Sequence, residues 1–300
     1  MNAFLHWFVI IISVGSFLGC WWLIRWSSKP RPGEAPVGEV TGHVWDEDLQ
    51  EFNNPLPRWW LWMFYGTIAF GLTYMVLYPA LGNFPGLLGW TQEGQYDQEV
   101  EQAEQKFGPI FAAYAAKPIP ELAKDPKAME AGRRLFVTYC AQCHGSDAGG
   151  APGFPNLRDS DWLYGGDPAT IKQTILDGRN GQMPSMAAAV GGDQGVEEVA
   201  NYVLSLSGAP HDAAKAEAGK ARFVVCSACH GPEGKGAALS GLGPIGAPDL
   251  TDNTWLYAGS LGAIKKAIIE GRQGHMPAHR EFLGENKVHL LAAYVYSLSH

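Results

Sequence analysis

Cys140-Ala141-Gln142-Cys143-His144 returns later in the chain as Cys226-Ser227-Ala228-Cys229-His230. A Cys-x-x-Cys followed at once by His is the attachment signature of c-type haem: two thiols for thioether bonds, and an imidazole beneath the iron. A zinc half-site or a thioredoxin-like pair also uses Cys-x-x-Cys. Neither requires the adjoining His, and no βαβ pattern surrounds either copy. Cys20, the remaining cysteine, lies in a long apolar run and reads as a buried, inert thiol.

Working outward, the two motifs sit in a longer repeat. Glu130-Ala131-Gly132-Arg133-Arg134-Leu135-Phe136-Val137 matches Glu217-Ala218-Gly219-Lys220-Ala221-Arg222-Phe223-Val224. Trp162-Leu163-Tyr164 recurs as Trp255-Leu256-Tyr257, and Gly178-Arg179-Asn180-Gly181-Gln182-Met183-Pro184 as Gly271-Arg272-Gln273-Gly274-His275-Met276-Pro277. Ala200-Asn201-Tyr202-Val203-Leu204-Ser205-Leu206 recurs as Ala292-Ala293-Tyr294-Val295-Tyr296-Ser297-Leu298. The order predicts two tandem helical domains, 127–209 and 214–300, of roughly 80 residues each, small enough to need a haem as apolar filling. The second copy carries extra residues in Gly236–Ala247.

Each repeat resembles a class I cytochrome c domain. The resemblance implies that Met183 and Met276 are the second axial ligands, giving His144/Met183 and His230/Met276. A thioether ligand favours ferrous iron and a raised potential. Met186, His275 and His279 remain as alternatives, and bis-His ligation would lower a potential. The loops at Pro155 and Pro248 resemble the family's Pro-x-Leu loop, whose proline carbonyl orients the proximal imidazole. Leu157 and Leu250 would pack on the haem, and Arg179 and Arg272 would face haem propionates. Gly132 with Phe136, and Gly219 with Phe223, would mark the crossing of first and last helices, with Tyr202 and Tyr294 opposite.

Two apolar runs precede the repeats. Phe4–Ile24 and Trp59–Leu81 are each long enough to span about 30 Å of hydrocarbon as a helix. Both carry tryptophans at an end, which suits a membrane interface. The first run lacks the basic start and small-residue cleavage site of a signal peptide. Arg25, Lys29, Arg31 and Arg58 lie between the runs, and no Lys or Arg precedes the first. The positive-inside rule puts that loop in the cytoplasm and both termini in the periplasm. The expected divisions are thus 1–58 (first helix and cytoplasmic loop), 59–81 (second helix), 82–126 (periplasmic connector) and the two haem domains. The overall class is all-α, and the acidic stretch after Gly42 reads as a capped short helix.

The loop from Trp45-Asp46-Glu47-Asp48-Leu49 to Asn54-Pro55-Leu56-Pro57-Arg58-Trp59-Trp60 is similar to that of the dihaem cytochrome c subunits of cbb3-type cytochrome c oxidases. The resemblance covers nearly the whole chain from about residue 40. It implies two covalent haem c groups held by Cys140, Cys143, Cys226 and Cys229. It implies a non-catalytic electron-transfer subunit in a bacterial inner membrane, with no oxygen-reducing site of its own. The implied partners are a haem–copper subunit, a monohaem cytochrome c subunit and a periplasmic donor cytochrome c. The first helix departs from many members, which resemble the chain only from the second helix on. Competing readings are a stand-alone membrane-tethered dihaem cytochrome and a dihaem peroxidase. The chain is acidic, at formal net −8, which suits a basic donor protein. No basic stripe for nucleic acid, phosphate loop or nucleophile–base set is legible.

Overall fold

The computed structural model describes all 300 residues. The chain divides into two compact units, Met1–Gln105 and Lys106–His300.

The first unit contains helix α1 (Ala3–Ser27), strands β1 (Val40–Trp45) and β2 (Leu49–Phe52), helix α2 (Arg58–Leu77) and most of α3 (Gln92–Ala115). Asn2 caps α1, its side chain accepting from the Leu5 N–H at 2.9 Å. α1 and α2 are long and apolar enough to cross a membrane, and only Ile24 and Met75 of their residues are buried. They approach closely where Gly71 faces the Phe17 ring. The start of α1 is tied to the turn after α2: the Asn83 N–H donates to His6 Nδ1 at 2.9 Å. Cys20 is exposed on α1 rather than buried, because no protein packs on that face.

The stretch after Gly42 is a β-hairpin, not a helix. β1 and β2 pair antiparallel, with Trp45 opposite Leu49 and Val40 opposite Phe52. Val40, Thr41, Val44, Trp45 and Phe52 are strand-favouring residues. Their preference wins over the acidic run, which becomes the turn, with Asp46 and Glu47 at positive φ of 46° and 74°.

The second unit continues through α4 (Ile119–Leu122), α5 (Pro126–Tyr139), α6 (Ala141–His144), α7 (Pro168–Asp177), β3 (Arg179–Met183), α8 (Ala187–Val190) and α9 (Gly192–Leu206). The second repeat supplies α10 (Ala213–Arg222), α11 (Val224–His230), α12 (Gly236–Leu239), α13 (Leu261–Glu270), β4 (Arg272–Met276), α14 (Arg280–Leu283) and α15 (Glu285–Ser299). Helix starts are encoded locally. Asp125 and Asp167 each accept two backbone N–H bonds just ahead of a Pro, and Asp212 does the same for α10. The unit is helical except for β3 and β4, which pair with each other. The two two-stranded sheets are a departure from the all-α expectation.

The repeats are units of sequence but not of packing. α5 and α7 pack against α15, which closes the second repeat, and α10 and α13 pack against α9, which closes the first. One core holds Phe136, Ile171 and Ile175 with Val288, Leu290, Leu291 and Val295. The other holds Val196, Val199, Val203 and Leu204 with Phe223, Ile264 and Ile268. The expected domains 127–209 and 214–300 therefore exchange their closing halves. The chain crosses from one core to the other along β3 and returns along β4. Antiparallel pairing sets Arg179 opposite Met276 and Met183 opposite Arg272.

Pair chemistry accounts for the exchange. Leu135 and Arg222 are equivalent in the repeat, as are Leu290 and Glu198. In the exchanged fold Leu135 packs on the core containing Leu290. Arg222 Nε donates to Glu198 at 2.6 Å, and its Nη1 donates to the Val190 carbonyl at 2.9 Å. The unexchanged arrangement would set Leu135 against Glu198 and Arg222 against Leu290. The buried Glu198 would then keep only Gln194 of its own helix, and the half-buried Arg222 would lose its carboxylate, a cost away from water.

Candidate functional site

Both Cys-x-x-Cys-His motifs lie at short helices directly after the first helix of their repeat: α11 holds the whole second motif, and α6 holds the first apart from Cys140, which caps it. A helical turn sets the two thiols and the imidazole on neighbouring positions. His144 Nδ1 lies 2.9 Å from the Pro155 carbonyl oxygen, and His230 Nδ1 lies 3.0 Å from that of Pro248. Each carbonyl accepts from the ring, which leaves Nε2 as the lone-pair nitrogen. Burial pushes both imidazoles below their ordinary pKa, opposed by the bond to proline. Both rings are therefore neutral at pH 7, the form that ligates iron. Burial, with Cys143 beside it, pushes the Cys140 thiol up to about 11, and Cys226 shifts the same way. Cys143 and Cys229 are exposed.

The methionines fall where the exchange takes them. Cys140, Leu157 and Trp162 pack on the first core, and Met276 packs there with them. Cys226, Leu250 and Trp255 pack on the second, together with Met183 and Met186. The expected couples, His144 with Met183 and His230 with Met276, are not the ones brought together. Glycines make the crossed approach possible. Gly178, at φ +70°, ends α7 against the Met276 carbonyl and Ala278. Gly271, at φ +76°, ends α13 against the Met183 carbonyl and Pro184. The backbone bonds Met186 N–H to Ile268 (2.8 Å) and His279 N–H to Ile175 (3.1 Å) seal the same seams.

The helix-crossing residues are exchanged in the same sense. Gly132 faces Tyr294, whose ring lies 5.4 Å from Phe136, whereas Gly219 faces Glu198 and Tyr202 lies 5.2 Å from Phe223.

Arg179 and Arg272 stack over Tyr164 and Tyr257, at 4.7 and 4.6 Å from the ring centroids. Both tyrosines stand at matched positions of the repeat, in no motif that marks this role. Arg179 Nε donates to Thr174 Oγ1 at 2.9 Å. The equivalent of Thr174 is Ala267, and Arg272 Nε is buried without a partner. His279 Nδ1 is also buried and unpaired. His275 is drawn away by Asn180, whose Oδ1 lies 2.5 Å from its Nδ1 across the β3–β4 ladder.

These residues fit a covalently held haem. Each core has partly buried thiol sulfur, a neutral imidazole with its outer nitrogen engaged, and a thioether from the opposite repeat. The unpartnered Arg272 Nε adds a donor suited to a carboxylate.

Comparison with known proteins agrees. Residues 127–203 and 214–295 match the family described as cytochrome c oxidase, cbb3-type, subunit III. Residues 37–85 match the N-terminal domain of cytochrome oxidase-cbb3, FixP. A cbb3-type cytochrome c oxidase subunit CcoP of Rubrivivax gelatinosus is 52% identical over 260 residues, covering 87% of this chain and 84% of the relative. A CcoP subunit of Azospirillum sp. (strain B510) is 39% identical over 281 residues (87% and 95%). A FixPc subunit of Rhizobium leguminosarum bv. viciae is 40% identical over 278 residues (87% and 94%). With two matched cytochrome c repeats, a matched amino-terminal segment and relatives aligned over most of both chains, the chain belongs to the family of cbb3-type cytochrome c oxidase subunit III.

Proposed function

We propose that the chain is the membrane-anchored dihaem electron-transfer subunit of a cbb3-type oxidase. It relays electrons from a periplasmic donor cytochrome c toward the haem–copper subunit, alongside the monohaem cytochrome c subunit. The twin attachment motifs support a count of two haem c groups, held through Cys140 and Cys143 and through Cys226 and Cys229. Bound haem supplies the one-electron iron couple. The chain's part is to hold, orient and shield it. His144 and His230, oriented by Pro155 and Pro248, would hold the irons. Arg179 and Arg272, stacked on Tyr164 and Tyr257, would hold propionates.

Crossed packing carries the ligand assignment: His144 is served by Met276, and His230 by Met183. Met186 is a second thioether in the core of His230, and His279 a second nitrogen in that of His144. With a His and a Met of the chain available to hold each iron, neither site would be left open for oxygen or peroxide, which supports relay over catalysis. α1 and α2 span the inner membrane, and the loop charges put both termini and both repeats in the periplasm.

The test is a single-haem version of the full chain, with Cys226→Ala and Cys229→Ala, so that only the haem at Cys140 and Cys143 remains. Met276→His abolishes its Met-to-iron charge-transfer band, and Met183→His leaves the band in place. The opposite result returns the ligands to their own repeats. The complementary version, with Cys140→Ala and Cys143→Ala, gives the mirror outcome and guards against misfolding of the first single-haem chain.

A further inference from the structure

The β1–β2 hairpin has no partner for its side chains within its own unit. Every residue of both strands is exposed, with Leu49 63%, Phe52 61% and Trp45 53% accessible. An isolated two-stranded hairpin is marginal in water. Here it carries apolar side chains on both faces. Trp45 lies opposite Leu49, and alternation places Val44 and Phe52 on the other face. Its three-residue turn, 46–48, holds Asp46 and Glu47 at positive φ, a region that glycine occupies most readily. Strained backbone of this kind persists where surroundings hold it.

Charge says what those surroundings are. Glu39, Asp46, Glu47, Asp48 and Glu51 lie on or beside the strands, and residues 39–54 hold no Lys or Arg. An anionic lipid surface repels such a segment. A bilayer interface also receives one apolar face, not two. A protein groove with apolar walls and a basic rim satisfies both faces and the tip. The hairpin lies inside the family's matched amino-terminal domain, which begins at residue 37, beyond α1. A partner for it would be a component that the family has in common.

We infer that the hairpin is a docking element that inserts into a basic-rimmed apolar groove on another subunit of the oxidase. This rests on the proposed function. Steering by the acidic tip sets orientation, and Trp45, Leu49 and Phe52 supply the anchor area, as buried aromatic residues do at interfaces.

The experiment places p-benzoylphenylalanine at Trp45 and, separately, at Phe52 in the full chain, irradiated in native membranes. The expected result is an adduct from both positions to the same oxidase subunit, mapped by mass spectrometry to a segment containing Lys or Arg. Asp46→Lys with Glu47→Lys lowers the adduct yield about tenfold, with two haems per chain retained. Adducts to lipid alone, or to a second copy of this chain, overturn the inference, as does a yield indifferent to charge reversal. Copurification of a copper-containing subunit with the unmodified chain is scored in parallel. If it copurifies and no hairpin adduct forms, only the docking inference fails. If it does not, the proposed function fails and the docking inference with it.

Discussion

The two cores of the haem unit are built from the same repeat, yet they close with different chemistry. The core of α5 and α15 is sealed by leucine against aliphatic side chains, with Leu122, Phe136, Leu290 and Leu291 fully buried. The core of α9 and α10 is sealed by charge. Glu198 receives Arg222, and Glu197 reaches Lys215 of α10 at 3.2 Å and Lys265 of α13 at 2.5 Å. Asn201, where the other core has Ala293, accepts from the Asp212 N–H at 2.9 Å. An apolar seam gains from any apolar partner. A charged seam penalises the wrong one, and so selects. The contrast shows how a duplicated sequence specifies which copy of a helix goes where.

The largest expected effect comes from the apolar seam. Phe136→Ala empties a fully buried site and costs about 3–5 kcal/mol in denaturant unfolding. Because each core draws on both repeats, one unfolding transition should carry both haem absorption signals. Two separate transitions would break the comparison. Next is the crossing itself. Gly178→Ala adds a Cβ at φ +70° against the Met276 carbonyl, and should cost more than about 1 kcal/mol. It should perturb the charge-transfer band of the haem at Cys140 and Cys143 before the other. Perturbation confined to the haem at Cys226 and Cys229 would contradict the crossed assignment.

The charged seam gives smaller effects of distinctive form. Arg222→Leu strands Glu198 and lowers the melting temperature; adding Glu198→Leu recovers most of the loss and removes the penalty on unexchanged closure. A double variant no more stable than the single one would show that the pair does not select. The smallest effect is a pH dependence. The Gln194 amide, then the Arg222 guanidinium, hold Glu198 below its ordinary pKa of 4.5. A carboxylate depressed by folding stabilises above its unfolded pKa, and that contribution fades as pH falls through the folded value. The melting-temperature gap between the native chain and Glu198→Gln should be full above about pH 5 and close in more acid solution. A gap that widens with acid would reverse the assignment.

Much of this site was legible before the fold. Cys-x-x-Cys-His names its own chemistry, the proline carbonyls meet His144 and His230, and the methionines sit in matched positions. The crossing was not read, because repeat matching states what kind of neighbour a residue has and not which copy supplies it. The discriminating signal was present in Leu135 against Arg222 and Leu290 against Glu198, two substitutions that make sense only together. The hairpin was missed for another reason. Asp46-Glu47-Asp48 resembles an acidic first helical turn, but the strand-forming residues on either side decide the outcome. Arg272 Nε could not be found unpaired from sequence, since its deficit depends on Ala267 standing where the first repeat has Thr174.

The exchanged closing helices also decide what can be removed from the chain. A lone repeat held in this arrangement has its Cys-x-x-Cys-His motif and no thioether in its own core. Each core is completed by the other repeat, so removing either one opens both. The pair of repeats is in that sense one folding unit, which cannot be halved without exposing the apolar side chains of both cores.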